Sequence, residues 1–154
     1  FYYHFKAKDQ ILDAVIARRL ADTEQMLADW ADESDDPADR IRSFIHILIR
    51  NQGDIERFGC PVGTLNTEMR KLEHPAGAEA KRLFALFRDW LVVEFDRLGL
   101  GQNSAQLALH LLARSQGIAT LSNTFQDRAF VDREVTAMCD WLDDQIKFCT
   151  SASS

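Results

Sequence analysis

A chain of 154 residues, 46% hydrophobic and 27% charged with a net charge of −6, suits one globular domain with a proper core, and its length argues against two. No apolar run approaches the ~20 residues a membrane helix needs, so no membrane partner is expected. Three cysteines, Cys60, Cys139 and Cys149, form an odd set without CxxC spacing, which favours free thiols in a reducing, cytoplasmic compartment over a disulfide framework.

The opening stretch Phe1-Tyr2-Tyr3-His4-Phe5-Lys6-Ala7-Lys8-Asp9-Gln10-Ile11-Leu12 crowds aromatic, imidazole and ammonium groups ahead of an amphipathic run. Such groups suit phosphate oxygens, and a helix starting near Lys8 would aim its N-terminal amides at the same anion. In order, residues 2–12 resemble the end of the recognition helix and the start of the fourth helix in the tetracycline-repressor-like (TetR) family of bacterial transcriptional regulators. The family pattern runs roughly Tyr-x-His-Phe-x-x-Lys-[Glu/Asp]-x-Leu-[Leu], with Ile11 and Leu12 here as the closing apolar pair. The resemblance implies that Tyr2, Tyr3 and His4 face DNA, that Lys8 touches a backbone phosphate, and that two helices and most of a third precede Phe1. On that plan residues 1–8 end the helix-turn-helix domain and residues 9–149 form a regulatory domain; residues 150–154, small and polar, are expected to be a disordered tail.

Charge is unevenly spread. Residues 1–20 carry Lys6, Lys8, Arg18 and Arg19 against Asp9 and Asp13, a local +2, whereas residues 21–36 carry seven acids and no base. An acidic body behind a basic tip is compatible with one face meeting DNA.

The rest reads as helices between sparse prolines and glycines. A first helix is expected from about Lys8 to Trp30, with Leu12, Val15, Ile16, Leu20, Thr23, Leu27 and Trp30 inward, followed by an acidic loop over residues 31–36. Asp36 then caps a helix with Pro37 at its first position and Ile41, Phe44, Ile45 and Leu48 buried, stopping near Gly53. In the stretch from Phe58 to Met69, Pro61 suits a helical first turn, and Val62, Leu65 and Met69 share a face. Its Gly-Cys-x-x-Gly-x-Leu-x-x-Glu pattern resembles the sixth-helix motif of many TetR regulatory domains. A long helix follows Pro75 as far as Leu98, with Leu83, Phe84, Phe87, Leu91, Phe95 and Leu98 inward, and Gly99 and Gly101 end it.

Ser104 is the expected cap of the next helix, Ala105 to about Ser122, which is apolar on more than one side and must be covered twice. Gly117 allows a close helix crossing there. The last helix, about Arg128 to Phe148, lines up Val131, Val135, Met138, Leu142 and Ile146. The resemblance casts these two helices as the subunit interface of a homodimer, with Leu107, Leu111, Ile118, Leu121, Val135 and Leu142 at the contact.

Enzyme signatures (HExxH, GxGxxG, P-loop, GxSxG) do not occur, and the expectation is a protein that is not an enzyme. His46, His74 and His110 lack metal-ligand spacing, so no metal or cofactor is expected, and no spacing brings Glu68 and Glu94 together. The resemblance places an inducer site among the fifth to eighth family helices. These supply Phe44, Leu48, Leu65, Met69, Phe84, Phe87, Trp90 and Leu91, with Asn66, Arg88, Gln116 and Thr120 as polar contacts. An aromatic-rich set with few polar groups fits an apolar or planar small molecule.

Cys60, just before Pro61 at a predicted helix start with Arg57 nearby, is a redox candidate, because helix amides favour the thiolate. The expected function is that of an all-α, TetR-like repressor that leaves double-stranded operator DNA when an inducer binds. A repressor switched by electrophiles through Cys60, a Cys60-dependent enzyme, and an all-helical interaction module without DNA binding stay open as alternatives.

Overall fold

The computed structural model describes residues 2–59, 63 and 77–152. Every regular element among them is an α-helix: α1 (Tyr2–Glu33), α2 (Pro37–Arg50), α3 (Gln52–Phe58), α4 (Gly77–Arg97), α5 (Ser104–Phe125) and α6 (Arg128–Ala152). None is long and apolar enough to cross a membrane. The predicted helix around Pro61 to Met69 lies outside the described residues.

No glycine or proline interrupts residues 2–33, so nothing breaks the intrahelical hydrogen-bond ladder and α1 runs unbroken from Tyr2. This corrects the expected helix start near Lys8. The amide of Lys8 lies within the ladder rather than at a free N-terminus. Ile16, Thr23, Leu27 and Trp30 are buried as their spacing predicts, but Val15 is 44% exposed.

The acidic stretch after Trp30 continues as helix, leaving only Ser34–Asp36 as connection. Arg40 of α2 reaches back across this turn. Its Nε donates to the Ser34 carbonyl at 2.7 Å and its Nη2 to the Ala31 carbonyl at 2.8 Å. Those carbonyls are among the acceptors a helix end leaves unsatisfied, and the cation also complements the negative end of the helix dipole. Arg40 Nη1 donates to Glu94 Oε1 on α4 at 3.2 Å, with both side chains buried. One guanidinium thus joins α1, α2 and α4.

At the start of α2, Asp36 Oδ1 accepts from the Ala38 amide at 3.0 Å and Pro37 takes the first position, as the sequence indicates. The break after α2 falls at Asn51, and Gly53 lies inside α3 instead of ending the preceding helix. Asn123 of α5 closes the far end of α3, its Nδ2 donating to the carbonyls of Ile55 and Glu56 at 3.1 Å. α4 buries Leu83, Phe87, Leu91 and Phe95. It terminates through Gly99, whose φ of 85° is the left-handed conformation that glycine adopts without strain.

Ser104 is not the cap of α5. Asn103 holds that position, and the buried Ser104 hydroxyl donates to the Leu100 carbonyl at 3.1 Å. α5 packs against α3, α4 and α6, which covers Leu111, Leu112 and Ile118 from within the chain, while Leu109, Leu121 and Phe125 stay exposed. Leu111, Ile118, Val135 and Leu142 are buried in this core and Leu107 is half-buried, while Leu121 is 44% exposed. The first four cannot also form an outer contact surface, because packing within the chain already uses their apolar area. Gly117 makes no close crossing inside the chain either, since a Cβ there would meet nothing within 4 Å.

α6 is preceded by Asp127, whose Oδ1 accepts from the Phe130 amide at 3.0 Å, a cap that the sequence reading missed. It continues through Ala152, so Thr150 and Ser151 are helical instead of belonging to a loose tail. Their hydroxyls donate to carbonyls one turn back. Arg42 to Asp143 at 2.7 Å ties α2 to α6, and Arg114 to Glu134 at 3.1 Å ties α5 to α6.

Candidate functional site

A cavity of about 730 Å³ opens between α1 and the bundle formed by α2 to α5, within the size range of small-molecule sites. α2 contributes Phe44, Ile47 and Leu48, α3 contributes Ile55, and α4 contributes Phe84 and Phe87. Leu112, Ser115, Gln116 and Ala119 come from α5, and Asn51 from the α2–α3 break. The Phe44 and Phe87 rings lie 5.6 Å apart at an interplanar angle of 58°, an arrangement that fixes both side chains on the wall. Ser115 spends its donor inside α5, on the Leu112 carbonyl at 2.8 Å, so its hydroxyl can only accept from an occupant.

Among the described residues the remaining wall is α1. Ile11, Ala14, Val15, Arg18, Arg19, Asp22, Thr23 and Met26 line the cavity, and they follow one another at three- and four-residue steps along one helical face. Ile11 is 64% exposed, a large apolar side chain left uncovered at the rim. Arg18 Nε donates to Asp22 at 3.0 Å, one turn away. Among the described lining residues the interior is thus mostly apolar and aromatic, and the charges stand on α1.

The sequence-predicted ligand contacts divide into three groups. Phe44, Leu48, Phe84, Phe87 and Gln116 stand together on this cavity. Arg88, Trp90, Leu91 and Thr120 do not. Arg88 points to a smaller groove of about 300 Å³ between α4 and α5, and its Nε donates to Asp89 at 3.0 Å. Trp90 packs against Trp30 with ring centroids 5.6 Å apart, Leu91 is fully buried in the core, and Thr120 is exposed on α5. Helical spacing placed all four on apolar or neighbouring faces, but each side chain projects beside the cavity instead of into it. Leu65, Asn66, Met69 and Cys60 lie outside the described residues, as does His74. Tyr2, Tyr3, His4 and Lys8 stand on the first turns of α1, and their side chains lie outside the described residues.

Of the α1 wall, the apolar spacing singles out only Val15 and Thr23, and as core positions; Ile11, Ala14, Arg18, Arg19, Asp22 and Met26 share their face but fall outside the apolar stripe. Glu94, for which no partner was foreseen, pairs with Arg40 and with Arg97 at 3.5 Å. His46 Nδ1 lies 2.7 Å from the Arg42 carbonyl, and the His110 ring lies 4.9 Å from that of Trp141. Among the described residues no group of three or more His, Cys, Asp or Glu side chains could hold a metal ion.

The two described thiols differ in setting. Burial is the largest influence on Cys139 and pushes its pKa up, with Arg42 opposing and Asp143 and Asp140 adding to the rise. Cys149 Sγ donates to the Gly99 carbonyl at 3.4 Å, fastening the end of α6 to the α4–α5 turn. No protein-family model matches this chain, and no curated protein matches it.

Proposed function

We propose that this chain is the regulatory part of a TetR-like transcriptional regulator, a repressor released from operator DNA when a small, mostly apolar molecule enters the cavity. The observation that supports the reading is that a single helix both walls the cavity and carries the N-terminal stretch. The face of α1 from Ile11 to Met26 walls the cavity. The same helix bears residues 2–8, the stretch that resembles the end of a recognition helix.

The far end of α1 is held by Arg40 and by the Trp30–Trp90 contact. A guest pressing on the middle of a helix fixed at one end tilts it. From Trp30 to Tyr2 the helix spans ~42 Å, so a tilt of about 5° displaces the tip by roughly 4 Å. In a dimer whose half-sites lie ~34–36 Å apart, a shift of that size spoils simultaneous docking. The guest need only bind the tilted form more tightly to release the DNA.

Pairing of subunits is part of the proposal. Leu109, Leu121 and Phe125 stand exposed on α5, and Gly117, open on its outer side, supports a close approach by a second helix. The reading is tested by a gel shift of the full gene product on the DNA upstream of its own gene. The expected result is a shift that weakens steeply as salt rises, because phosphate contacts release counterions. Absence of any shift at low salt rejects the reading.

A further inference from the structure

The charges on the α1 wall are unequal, and this bears on what the cavity takes. Arg18 and Arg19 both line it, with Asp22 as the one acid among the described lining residues. Arg18 is already committed to that acid, its Nε lying 3.0 and 3.2 Å from the two carboxylate oxygens. Arg19 is exposed and, among the described residues, has no carboxylate partner. An uncompensated guanidinium therefore stands at the rim of an aromatic cavity.

A carboxylate can stay hydrated at that rim and pair with the planar fork, while its apolar body enters the interior. An ammonium head would meet Asp22 already neutralised and Arg19 repelling it. We propose that the occupant is an organic acid, with an apolar or aromatic body against Phe44, Leu48 and Phe87 and a carboxylate on Arg19. This rests on the reading of the cavity as a small-molecule site.

Calorimetric titration with decanoate and 2-naphthoate, each against its neutral amide at pH 7 and low salt, tests the assignment in the wild-type chain and in Arg19→Gln. The acids should bind about fivefold more tightly than the amides, the scale of a solvent-accessible ion pair. That gap should shrink as salt rises and vanish in Arg19→Gln, chiefly through a loss of acid affinity. Equal binding of acid and amide by the wild type overturns the carboxylate assignment and leaves the cavity reading standing, and a gap that survives in Arg19→Gln removes Arg19 from it. Failure of all four compounds to bind overturns both.

Discussion

Along α1 the same helix meets two environments. Towards its C-terminus Leu27 and Trp30 are buried, Trp30 leans on Trp90, and Arg40 takes up the last carbonyls while pairing with Glu94. Towards the middle, Ile11 and Val15 are exposed and the inward face looks across a cavity. A close-packed end transmits strain and an unfilled middle yields to it. The contrast supports the proposed tilting of α1 about its packed end, and each part of it can be broken separately.

The largest expected effect is on the pinned end. Arg40→Ala leaves buried Glu94 with only the longer contact to Arg97 and strips the donors from the Ala31 and Ser34 carbonyls, and should cost ~3–5 kcal/mol in urea denaturation. Ile11→Ala at the rim should stay within ~0.5 kcal/mol. If the two variants unfold alike, the end is not anchored as described. Hydrogen exchange sharpens the same contrast. Amides of residues 27–33 should exchange at least about tenfold more slowly than those of residues 11–19.

Gly117→Ala separates the subunit from its proposed dimer. The added methyl meets open space, so the monomeric helix should gain ~1 kcal/mol, while sedimentation should show weaker self-association. Unchanged association would remove α5 from the interface.

Cys139 probes the closed region by pH. Its raised pKa means the folded chain favours the neutral thiol. Its contribution to stability is therefore complete below the ordinary thiol pKa of about 8.5 and is lost as pH climbs from there towards the folded value. Alkylation of Cys139 at pH 8 should accordingly lag behind a small model thiol, and the Cys60 switch survives only if Cys60 outruns both Cys139 and Cys149. The smallest effect belongs to Ser122, whose buried hydroxyl has no hydrogen-bond partner among the described residues. Ser122→Ala should be neutral or stabilise by up to ~1 kcal/mol in thermal melts.

Much of the architecture was legible in the residues. Asp36-Pro37 announced the start of α2, and three- and four-residue recurrences marked Leu83, Phe87, Leu91 and Phe95 as buried. Gly99 was read correctly as the end of α4. Boundaries that depend on competing local bonds were not legible. Ser104 turned its hydroxyl to Leu100 instead of capping α5, and α6 ran on through Thr150 because hydroxyl donors to the preceding turn are compatible with helix.

The candidate site was half visible. Phe44, Leu48, Phe84, Phe87 and Gln116 meet at the cavity, but the same apolar spacing put Leu91 and Trp90 into solid packing. Sequence by itself determined that this protein is helical, where most helices lie and which faces are apolar, because those follow from backbone hydrogen bonding and a 3.6-residue repeat. Tertiary structure alone decided what covers each face. It buried Leu111 and Leu142 inside one chain, left the Ile11–Met26 face of α1 lining a void, and joined Arg40 to Glu94 across 54 residues. A repeat specifies a direction around a helix axis, and only the positions of the other helices say what lies in that direction.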